Sequence, residues 1–228
     1  MIVYLSSPGS QMHADHLRGM PTLISYAVWS RWLDDYTPSF GRILLDSGAF
    51  SELTGKAKVD LSAYMDWARA RLHFVDAAAG LDDIRGDWRR SLRNYEAFPE
   101  GFPTFHESDP FELLDDLIAM ALERNRWLGI GLIPPRQGKE RWLRQTCDRI
   151  PPGIHVHGWA LREYTDVARL DSVDSTNWLR DAWQYRNQMP FLTPAECVEL
   201  VVKRYQRWQR TIRHPQQEPT LFDEVKQC

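Results

Sequence analysis

Short apolar runs rich in β-branched and aromatic residues recur along the whole chain, and they constrain its fold more than any other feature. Each run has the length and composition of a strand that is buried on both faces. The eight runs cover residues 2–5, 22–25, 43–45, 73–76, 103–105, 128–132, 154–157 and 170–173. A chain of 228 residues can bury them in one domain, which we place at residues 1–213, with 214–228 as a frayed tail.

Segments with helical spacing separate most of these runs. Leu61, Tyr64 and Ala68 share one helical face, and so do Leu113 and Leu117. Alternating strands and helices predict parallel strands joined by crossover helices, and eight repeats predict a compact, closed (β/α)₈ barrel of the TIM type. An open doubly wound sheet is the alternative. Residues 6–20 carry Pro and Gly without a clear apolar period, and they are interpreted as loop.

The last helix is predicted to begin at the capping box Thr193-Pro194-Ala195-Glu196. Basic residues, Lys203 and Arg207 among them, follow the side opposite its apolar face. This stripe is either a phosphate-contacting surface or an ordinary solvated face.

Charge and cysteine content exclude several classes of protein. The net charge of -3 does not indicate nucleic-acid binding through the overall field, so any such contact needs local basic patches. The three cysteines lack the spacing of a disulfide framework or a cysteine-rich zinc site. With no signal sequence and no long apolar stretch, the chain is expected in the cytoplasm, without a membrane partner.

The third run leads directly into Asp46-Ser47-Gly48-Ala49-Phe50. A carboxylate at the carboxyl end of a buried strand, a glycine that permits close backbone approach and a flat aromatic ring together indicate a nucleobase site. Two alternatives remain open: Asp46 as a turn or helix N-cap residue, and Phe50 as a core residue.

A second strand end carries carboxylates at Asp171 and Asp174. Two strand-end carboxylates that face one pocket indicate glycosidic-bond chemistry. Strand alternation places Asp171 and Asp174 on opposite faces, so only one of them points inward on a regular strand.

His155 and His157 lie two apart on the seventh predicted strand and share a face. With His13, His16 and His106 they form the basis of an alternative, a metal-dependent hydrolase barrel. A hydrogen-bonding histidine beside the pocket is the favoured interpretation.

Four arginines follow the fourth predicted strand closely enough to stand at the mouth of a pocket: Arg85, Arg89, Arg90 and Arg93. Trp88 and Tyr95 lie among them. They either contact phosphates or form ion pairs with Asp83 and Asp87 on an ordinary amphipathic helix.

The order of these motifs resembles that of the tRNA-guanine transglycosylases, and it is still more similar to their short phage and bacterial relatives, the DNA 7-deazaguanine transglycosylases. The resemblance covers residues 43–178 and rests on the following matches: Asp46 to Phe50, Gly80-Leu81-Asp82 with Asn94-Tyr95, Pro103 to His106, Gly129-Ile130-Gly131, His157-Gly158, and Val173 to Trp178. The tRNA enzymes also carry a cysteine-rich zinc site, which is missing here. This departure favours a barrel without the zinc subdomain and DNA over tRNA.

The resemblance implies a base exchange through a covalent aspartyl-sugar intermediate, without a cofactor or metal. It assigns the nucleophile to Asp174, with Asp171 as the second candidate, and general acid and base catalysis to Asp46. Asp82 would read the base. The remaining contacts would come from Ser47, Gly48, Phe50, backbone amides at Gly129 and Gly131, and His157 with Gly158.

The implied partners are DNA, with tRNA less favoured, the free 7-deazaguanine base and further proteins of a modification system. DNA would have to present its target nucleotide extruded or single-stranded. A tRNA enzyme and a barrel that binds nucleobases or nucleic acid without turnover remain alternatives.

Overall fold

A computed structural model describes residues 1–132 and 138–211, and in them eight parallel strands form one curled sheet flanked by helices. The strands are β1 (Ile2–Ser6), β2 (Pro21–Ser25), β3 (Arg42–Asp46), β4 (Ala77–Ala78), β5 (Thr104–His106), β6 (Trp127–Gly131), β7 (His155–Trp159) and β8 (Ser172–Ser175). This α/β architecture is compatible with a TIM-like barrel. The predicted tail from residue 214 onward lies outside the described residues.

The strand order in the sheet is β4-β3-β2-β1-β8-β7-β6-β5. All neighbours are consecutive in sequence except β1 and β8, which pair in parallel from Ile2 with Ser172 to Leu5 with Ser175. The doubly wound alternative is therefore wrong, because that fold has a point at which the strand order reverses.

The two edge strands approach each other through one parallel bridge between Ala79 and Phe102. The Phe102 amide donates to the Ala78 carbonyl at 2.9 Å, and the Gly80 amide donates to the Phe102 carbonyl at 2.8 Å.

Helices in the described residues are α1 (Gln11–His16), α2 (Ala49–Leu53), α3 (Leu61–Arg69), α4 (Trp88–Ala97), α5 (Leu113–Glu123), α6 (Glu140–Arg149), α7 (Asn177–Gln188) and α8 (Pro194–Thr211). The predicted capping box of α8 is confirmed, since the Thr193 amide donates to Glu196 Oε2 at 2.7 Å and the Glu196 amide to Thr193 Oγ1 at 3.3 Å. No helix in these ranges has the length and apolar character needed to cross a membrane.

Two local predictions were wrong. Residues 6–20 are not all loop, because Ser10 accepts a hydrogen bond from the His13 amide and caps the short helix α1. The fourth strand lies at Ala77–Ala78, while Leu72–Phe74 form a 3₁₀ turn. Alanine has little β propensity, so the more apolar residues before it gave the stronger but misleading signal.

Side chains alternate between two apolar layers, as expected for strands covered on both faces. Val3 and Leu5 of β1 pack toward the helices, whereas Tyr4 packs on the concave inner face with Leu23 and Leu44. Phe102, Trp127 and Trp159 complete the inner layer. Because this layer fills the lower part of the inner face, the cavity on that face lies toward the carboxyl ends of the strands.

Candidate active site

A cavity of about 640 Å³ opens at the carboxyl ends of the strands. The strands contribute Ser6 (β1), Ser25 (β2), Asp46 (β3), His106 (β5), Gly131 (β6), Trp159 (β7) and Asp174 (β8), and Asp82 follows β4. Strand alternation explains the convergence, because Asp46 lies two residues after inward Leu44 and Trp159 two after inward His157. The carboxyl ends of parallel strands are where α/β barrels carry their chemistry.

Asp46 is half-buried in the cavity wall and lies deep among protein atoms on its other sides. Burial raises the pKa of this carboxyl, and the charge of Asp82 raises it further, while hydrogen bonds from Ser25 and the Gly48 backbone oppose the rise. A carboxyl with a raised pKa is suited to give and take protons near neutral pH.

The turn after Asp46 explains the role of Gly48. Gly48 has a φ of +86° and is itself the N-cap of α2, so Asp46 is not the helix N-cap. The turn interpretation of Asp46 is confirmed, because its carboxylate accepts a hydrogen bond from the Gly48 amide. A Cβ at Gly48 would stand 2.5 Å from the Ala27 Cβ. The glycine therefore allows the tight turn that brings its amide back to the Asp46 carboxylate.

Asp82 forms a short hydrogen bond with His106, whose Nε2 lies 2.5 Å from Asp82 Oδ2. Burial opposes the charge on His106, but the hydrogen bond to Asp82 and the charges of Asp82, Asp109 and Asp83 outweigh it and raise its pKa. Gly131 makes room for the ring, because a Cβ there would meet His106 Nδ1 at 2.4 Å. Asp82 and His106 thus form an acceptor and donor pair in the cavity wall.

Asp174 is 6% exposed and lines the cavity from β8. Its Oδ1 accepts a hydrogen bond from the Ala160 amide at 2.5 Å. Ala160 has a φ of +51°, a conformation that is uncommon for residues other than glycine. The backbone at the end of β7 is therefore held in an unfavourable geometry at the point where it orients a cavity carboxylate.

Asp171 does not reach the cavity. It precedes β8 at the amino end of the sheet, where its Oδ2 accepts a hydrogen bond from the Val156 amide at 2.8 Å. Asp171 and Asp174 therefore point to different places, as strand alternation predicted, and Asp174 is the one at the cavity.

Phe50 lines the cavity while 60% of its surface stays exposed. The core-packing interpretation of Phe50 is wrong, because a core side chain would be covered on all sides. Lys56 and Arg162 also line the cavity and bring positive charge to it. Arg162 is held in place by a hydrogen bond to Tyr205 of α8 at 2.7 Å, and Tyr205 lies 2.9 Å from the Ser175 hydroxyl.

Several predicted contact residues lie near the cavity without lining it. Ser47 is 1% exposed and its hydroxyl is buried without a hydrogen-bond partner among the described residues. The Gly129 amide donates to the Pro103 carbonyl at 2.9 Å, so it is committed to the sheet. A Cβ at Gly129 would meet Thr104 Oγ1 and Trp159 Nε1, so this glycine makes room for their 3.0 Å hydrogen bond.

His157 and Gly158 are also displaced from their predicted roles. His157 is fully buried one layer below the cavity, and Trp159 packs over it at 4.4 Å between ring centroids. Gly158 faces outward, where a Cβ would contact Leu161 and Leu170. Neither residue is among those that line the cavity.

The metal-hydrolase alternative gains no support from the histidines. His155 and His157 both hydrogen-bond to Ser172 Oγ, at 2.7 and 2.8 Å. His13 packs against Trp178 on the helix side of the sheet. Across residues 1–132 and 138–211, no three His, Cys, Asp or Glu side chains are grouped so that they could hold a metal ion.

The four arginines near α4 are exposed, and Arg90 differs from the other three in forming ion pairs. Arg90 forms ion pairs with Asp83 at 3.0 Å and Glu52 at 3.7 Å, as the ordinary-helix interpretation predicted. Arg89 stacks over Trp88 at 4.2 Å, and within the described residues the side chains of Arg85 and Arg93 form no ion pair. On α8, Lys203 pairs with Glu199 at 2.7 Å, and Arg207 is exposed.

Ser25, Lys56, Trp159, Ala160 and Arg162 belong to the cavity but were not predicted from the sequence. Strand alternation could have found Ser25 and Trp159, since each lies two residues after an inward side chain. Lys56, Ala160 and Arg162 lie on connections after strands, where no periodic pattern indicates direction.

Comparison with known proteins returned no match. No family model, no curated protein and no solved structure is significantly similar to this chain.

Proposed function

We propose that this protein replaces guanine in DNA with a 7-deazaguanine derivative through a covalent aspartyl-sugar intermediate. The observation that carries the proposal is the convergence of Asp46, Asp82 and Asp174 on one cavity that an exposed Phe50 also lines. The cavity of about 640 Å³ is large enough for an extruded nucleotide. Base exchange needs a nucleophile, a proton donor and a base-reading group, and the three carboxylates can supply these roles.

In the first displacement, Asp174 attacks C1′ of the target nucleotide and the bond from C1′ to the purine nitrogen breaks. The purine leaves with the bonding electron pair and takes a proton from Asp46. The hydrogen bond from the Ala160 amide orients the attacking carboxylate. The raised pKa of Asp46 favours its protonated form, which this step requires.

In the second displacement, the ring nitrogen of the incoming 7-deazaguanine attacks C1′ and its proton returns to Asp46. The bond between C1′ and Asp174 breaks, which restores the free carboxylate. The exchange is balanced without an oxidant, a reductant or a cofactor.

Base recognition is assigned to Asp82. A guanine-like ring presents N1–H and an exocyclic amine as adjacent donors, and a carboxylate can accept from both. The hydrogen bond from His106 holds Asp82 in position. Phe50 offers a flat surface on which the ring or a neighbouring base can stack.

DNA binding would rely on local charge, because the chain carries a net charge of -3. Helices that follow the strands begin near the cavity, so the first turn of α4 brings Arg89 and Arg90 toward its mouth. Lys56 and Arg162 line the cavity itself. This distribution suits contact with a few phosphates around one extruded nucleotide more than contact along a long duplex.

We further propose that the curled sheet is a closed (β/α)₈ barrel. The bridge between Ala79 and Phe102 and its two backbone hydrogen bonds support closure between β4 and β5. Closure would fix the strand ends in a ring around the cavity.

Mass spectrometry of nucleosides tests the proposed function. Cells that express the protein with a supply of 7-deazaguanine precursors are compared with cells that express Asp174→Ala, and DNA and tRNA are digested separately. A deazaguanine nucleoside in DNA that disappears with Asp174→Ala is the expected result.

The same nucleoside in tRNA alone would replace DNA by tRNA as the substrate. Its absence from both pools, with purified protein also unable to incorporate labelled guanine into DNA or tRNA, would overturn base exchange.

A further inference from the structure

Two hydrogen bonds beneath the cavity link His155, Ser172 and His157, and the far side of the His157 ring faces Asp174. His155 Nε2 lies 2.7 Å from Ser172 Oγ, and the same oxygen lies 2.8 Å from His157 Nδ1. The other nitrogen of His157, Nε2, stands 3.8 Å from Asp174 Oδ1. Within the described residues this nitrogen has no hydrogen-bond partner, although the ring is fully buried.

The number of available protons limits the hydrogen bond between Ser172 and His157 to two arrangements. A serine hydroxyl has one hydrogen and two lone pairs, so toward His157 Nδ1 it either accepts or donates, and it can donate there only while it accepts from His155. If Ser172 accepts from His157 Nδ1–H, a neutral His157 turns an unprotonated Nε2 toward Asp174. If Ser172 accepts from His155 and donates to His157 Nδ1, the hydrogen of His157 is on Nε2.

The carboxylate of Asp174 selects between the two arrangements. A nitrogen lone pair and an ionised carboxylate at 3.8 Å repel each other, and burial leaves little water to screen the repulsion. An N–H group at the same place is attracted to the carboxylate. The arrangement with His155 as donor, Ser172 as relay and His157 Nε2–H toward Asp174 is therefore the stable one.

We propose that the hydrogen bond from Ser172 and the carboxylate of Asp174 together hold His157 as the Nε2–H tautomer, and that His157 is a positioning residue, whose neutral N–H orients and stabilises that carboxylate from below. The catalytic part of this inference rests on the proposed function. His157 touches neither substrate nor cavity, so its effect must pass through Asp174.

The surroundings of His157 fit this role. Burial, with a smaller contribution from His155, lowers the pKa of His157 to about 3, so the ring stays neutral at physiological pH. Tyr4, Phe102 and Trp159 surround the ring with centroid distances of 6.1, 6.4 and 4.4 Å, which restrains its orientation. A neutral donor supports the negative charge of Asp174 without converting it into an ion pair, which would weaken it as a nucleophile.

Nitrogen NMR of the histidine rings in the wild-type protein tests the tautomer directly. Long-range ¹H–¹⁵N correlation distinguishes Nε2–H from Nδ1–H rings, and His157→Gln identifies the signal. We expect Nε2–H for His157 in the wild type. In Ser172→Ala the Asp174 carboxylate still favours this tautomer, but Nδ1 loses its hydrogen-bond donor, so its ¹⁵N signal should move. Nδ1–H in the wild type, or an unchanged Nδ1 signal in Ser172→Ala, would overturn the relay.

Thr146→Val is the matched control for the loss of a buried hydroxyl. Thr146 is fully buried in α6 and its hydroxyl has no hydrogen-bond partner within the described chain. This variant should leave the His157 signals unchanged. If it alters them as Ser172→Ala does, the change reports general repacking, and the relay is rejected.

Kinetics separates a positioning role from a structural one. His157→Gln keeps an N–H group near the place of Nε2, whereas His157→Met fills the space without one. We expect His157→Met to lower the rate of covalent-intermediate formation by about tenfold with KM unchanged, and His157→Gln to recover most of the rate. Equal rates in the two variants would overturn the positioning role. If the wild type forms no intermediate with any nucleic acid, the proposed function fails, while the NMR result still decides the tautomer.

Discussion

The two ends of the sheet use aspartate in opposite ways. At the amino ends, Asp76 accepts from Tyr4 at 2.6 Å and from two nitrogens of Arg42 at 2.9 and 3.0 Å, and Asp171 accepts from the Val156 amide. At the carboxyl ends, Asp46, Asp82 and Asp174 face a cavity. Both groups accept hydrogen bonds from the protein, but only the second also faces a cavity that can accept a ligand.

This difference shows that a strand-end carboxylate is informative only when its partners are known. A bidentate arginine makes Asp76 a structural group, and burial beside that pair raises the pKa of the Tyr4 hydroxyl. Burial without an arginine leaves Asp46 with a raised pKa, which suits the proton transfer that we propose for it. Aspartate stands at both the amino and the carboxyl ends of the strands, and the groups around each carboxylate determine its role.

The strongest test of this comparison replaces, one at a time, the aspartates at the two ends of β8, Asp174 and Asp171. We expect Asp174→Asn to abolish the covalent intermediate and to lower base exchange by about 10⁴-fold or more, because the nucleophile is lost. Asp171→Asn, its matched control, should retain the activity. Denaturing gels that detect a protein–DNA adduct measure both. An adduct with Asp174→Asn but not with Asp171→Asn would transfer the nucleophile to the amino end.

Asp46→Asn should have the next largest effect, with a loss of about 10²- to 10⁴-fold in base exchange, because the proton donor is removed. It should also stabilise the protein at pH 8. The folded state raises the pKa of Asp46, so the wild type loses stability as pH rises through that value, whereas asparagine does not.

The gain in stability should vanish below about pH 4, where Asp46 is protonated in both the folded and the unfolded state. Denaturant unfolding at the two pH values measures it. A variant that is less stable than the wild type at pH 8 would show that Asp46 has a structural role like that of Asp76.

Phe50→Ala should weaken DNA binding by about tenfold, the effect of losing one stacking contact. Because Phe50 is 60% exposed, the melting temperature should stay within about 1 °C of the wild-type value. Fluorescence anisotropy with a single-stranded oligonucleotide measures the binding. Unchanged affinity together with a lower melting temperature would restore the core-packing interpretation.

Neutralising Arg89 and Arg90 should weaken DNA binding a few-fold and reduce the slope of log Kd against log salt by about 2. Arg149→Gln is the control, since Arg149 ends α6 and pairs with Asp115 at 2.5 Å on the far side from the cavity. If affinity and slope do not change in the double variant, these arginines belong to a solvated helix face.

Arg42→Met should have the smallest effect and should act on stability alone. Arg42 is 46% exposed, so the loss of its pair with Asp76 should cost about 1 kcal/mol of unfolding free energy. Base exchange should remain within about twofold of the wild-type rate. A large loss of activity would show that the amino ends of the strands are coupled to the cavity.

The periodic parts of the fold could be predicted from the sequence. Seven of the eight strand positions overlap the predicted runs, because strands buried on both faces are continuously apolar. The fourth was displaced, since Ala77 and Ala78 form it with side chains too small to give a signal. A strand of two alanines is fixed by its neighbours, and local sequence does not indicate it.

The carboxylates of the cavity could be predicted, but their supports could not. Asp46 and Asp174 follow apolar runs, and these runs predict that both residues lie at strand ends. The Ala160 amide and the space left by Gly131 depend on backbone geometry that no residue pattern encodes. His157 was predicted beside the pocket and lies below it, because only the three-dimensional layers distinguish those two places.

One donor to Asp174, the Ala160 amide, belongs to the main chain, so this contact does not depend on the side chain at position 160. Every amino acid except proline carries an amide hydrogen, so position 160 can vary in side chain while the contact to Asp174 persists. The limit is set by the φ of +51°, which glycine and asparagine adopt more readily than alanine. Relatives that share this support of the carboxylate could therefore differ in residue type at position 160. They would be recognised by the backbone conformation at that position.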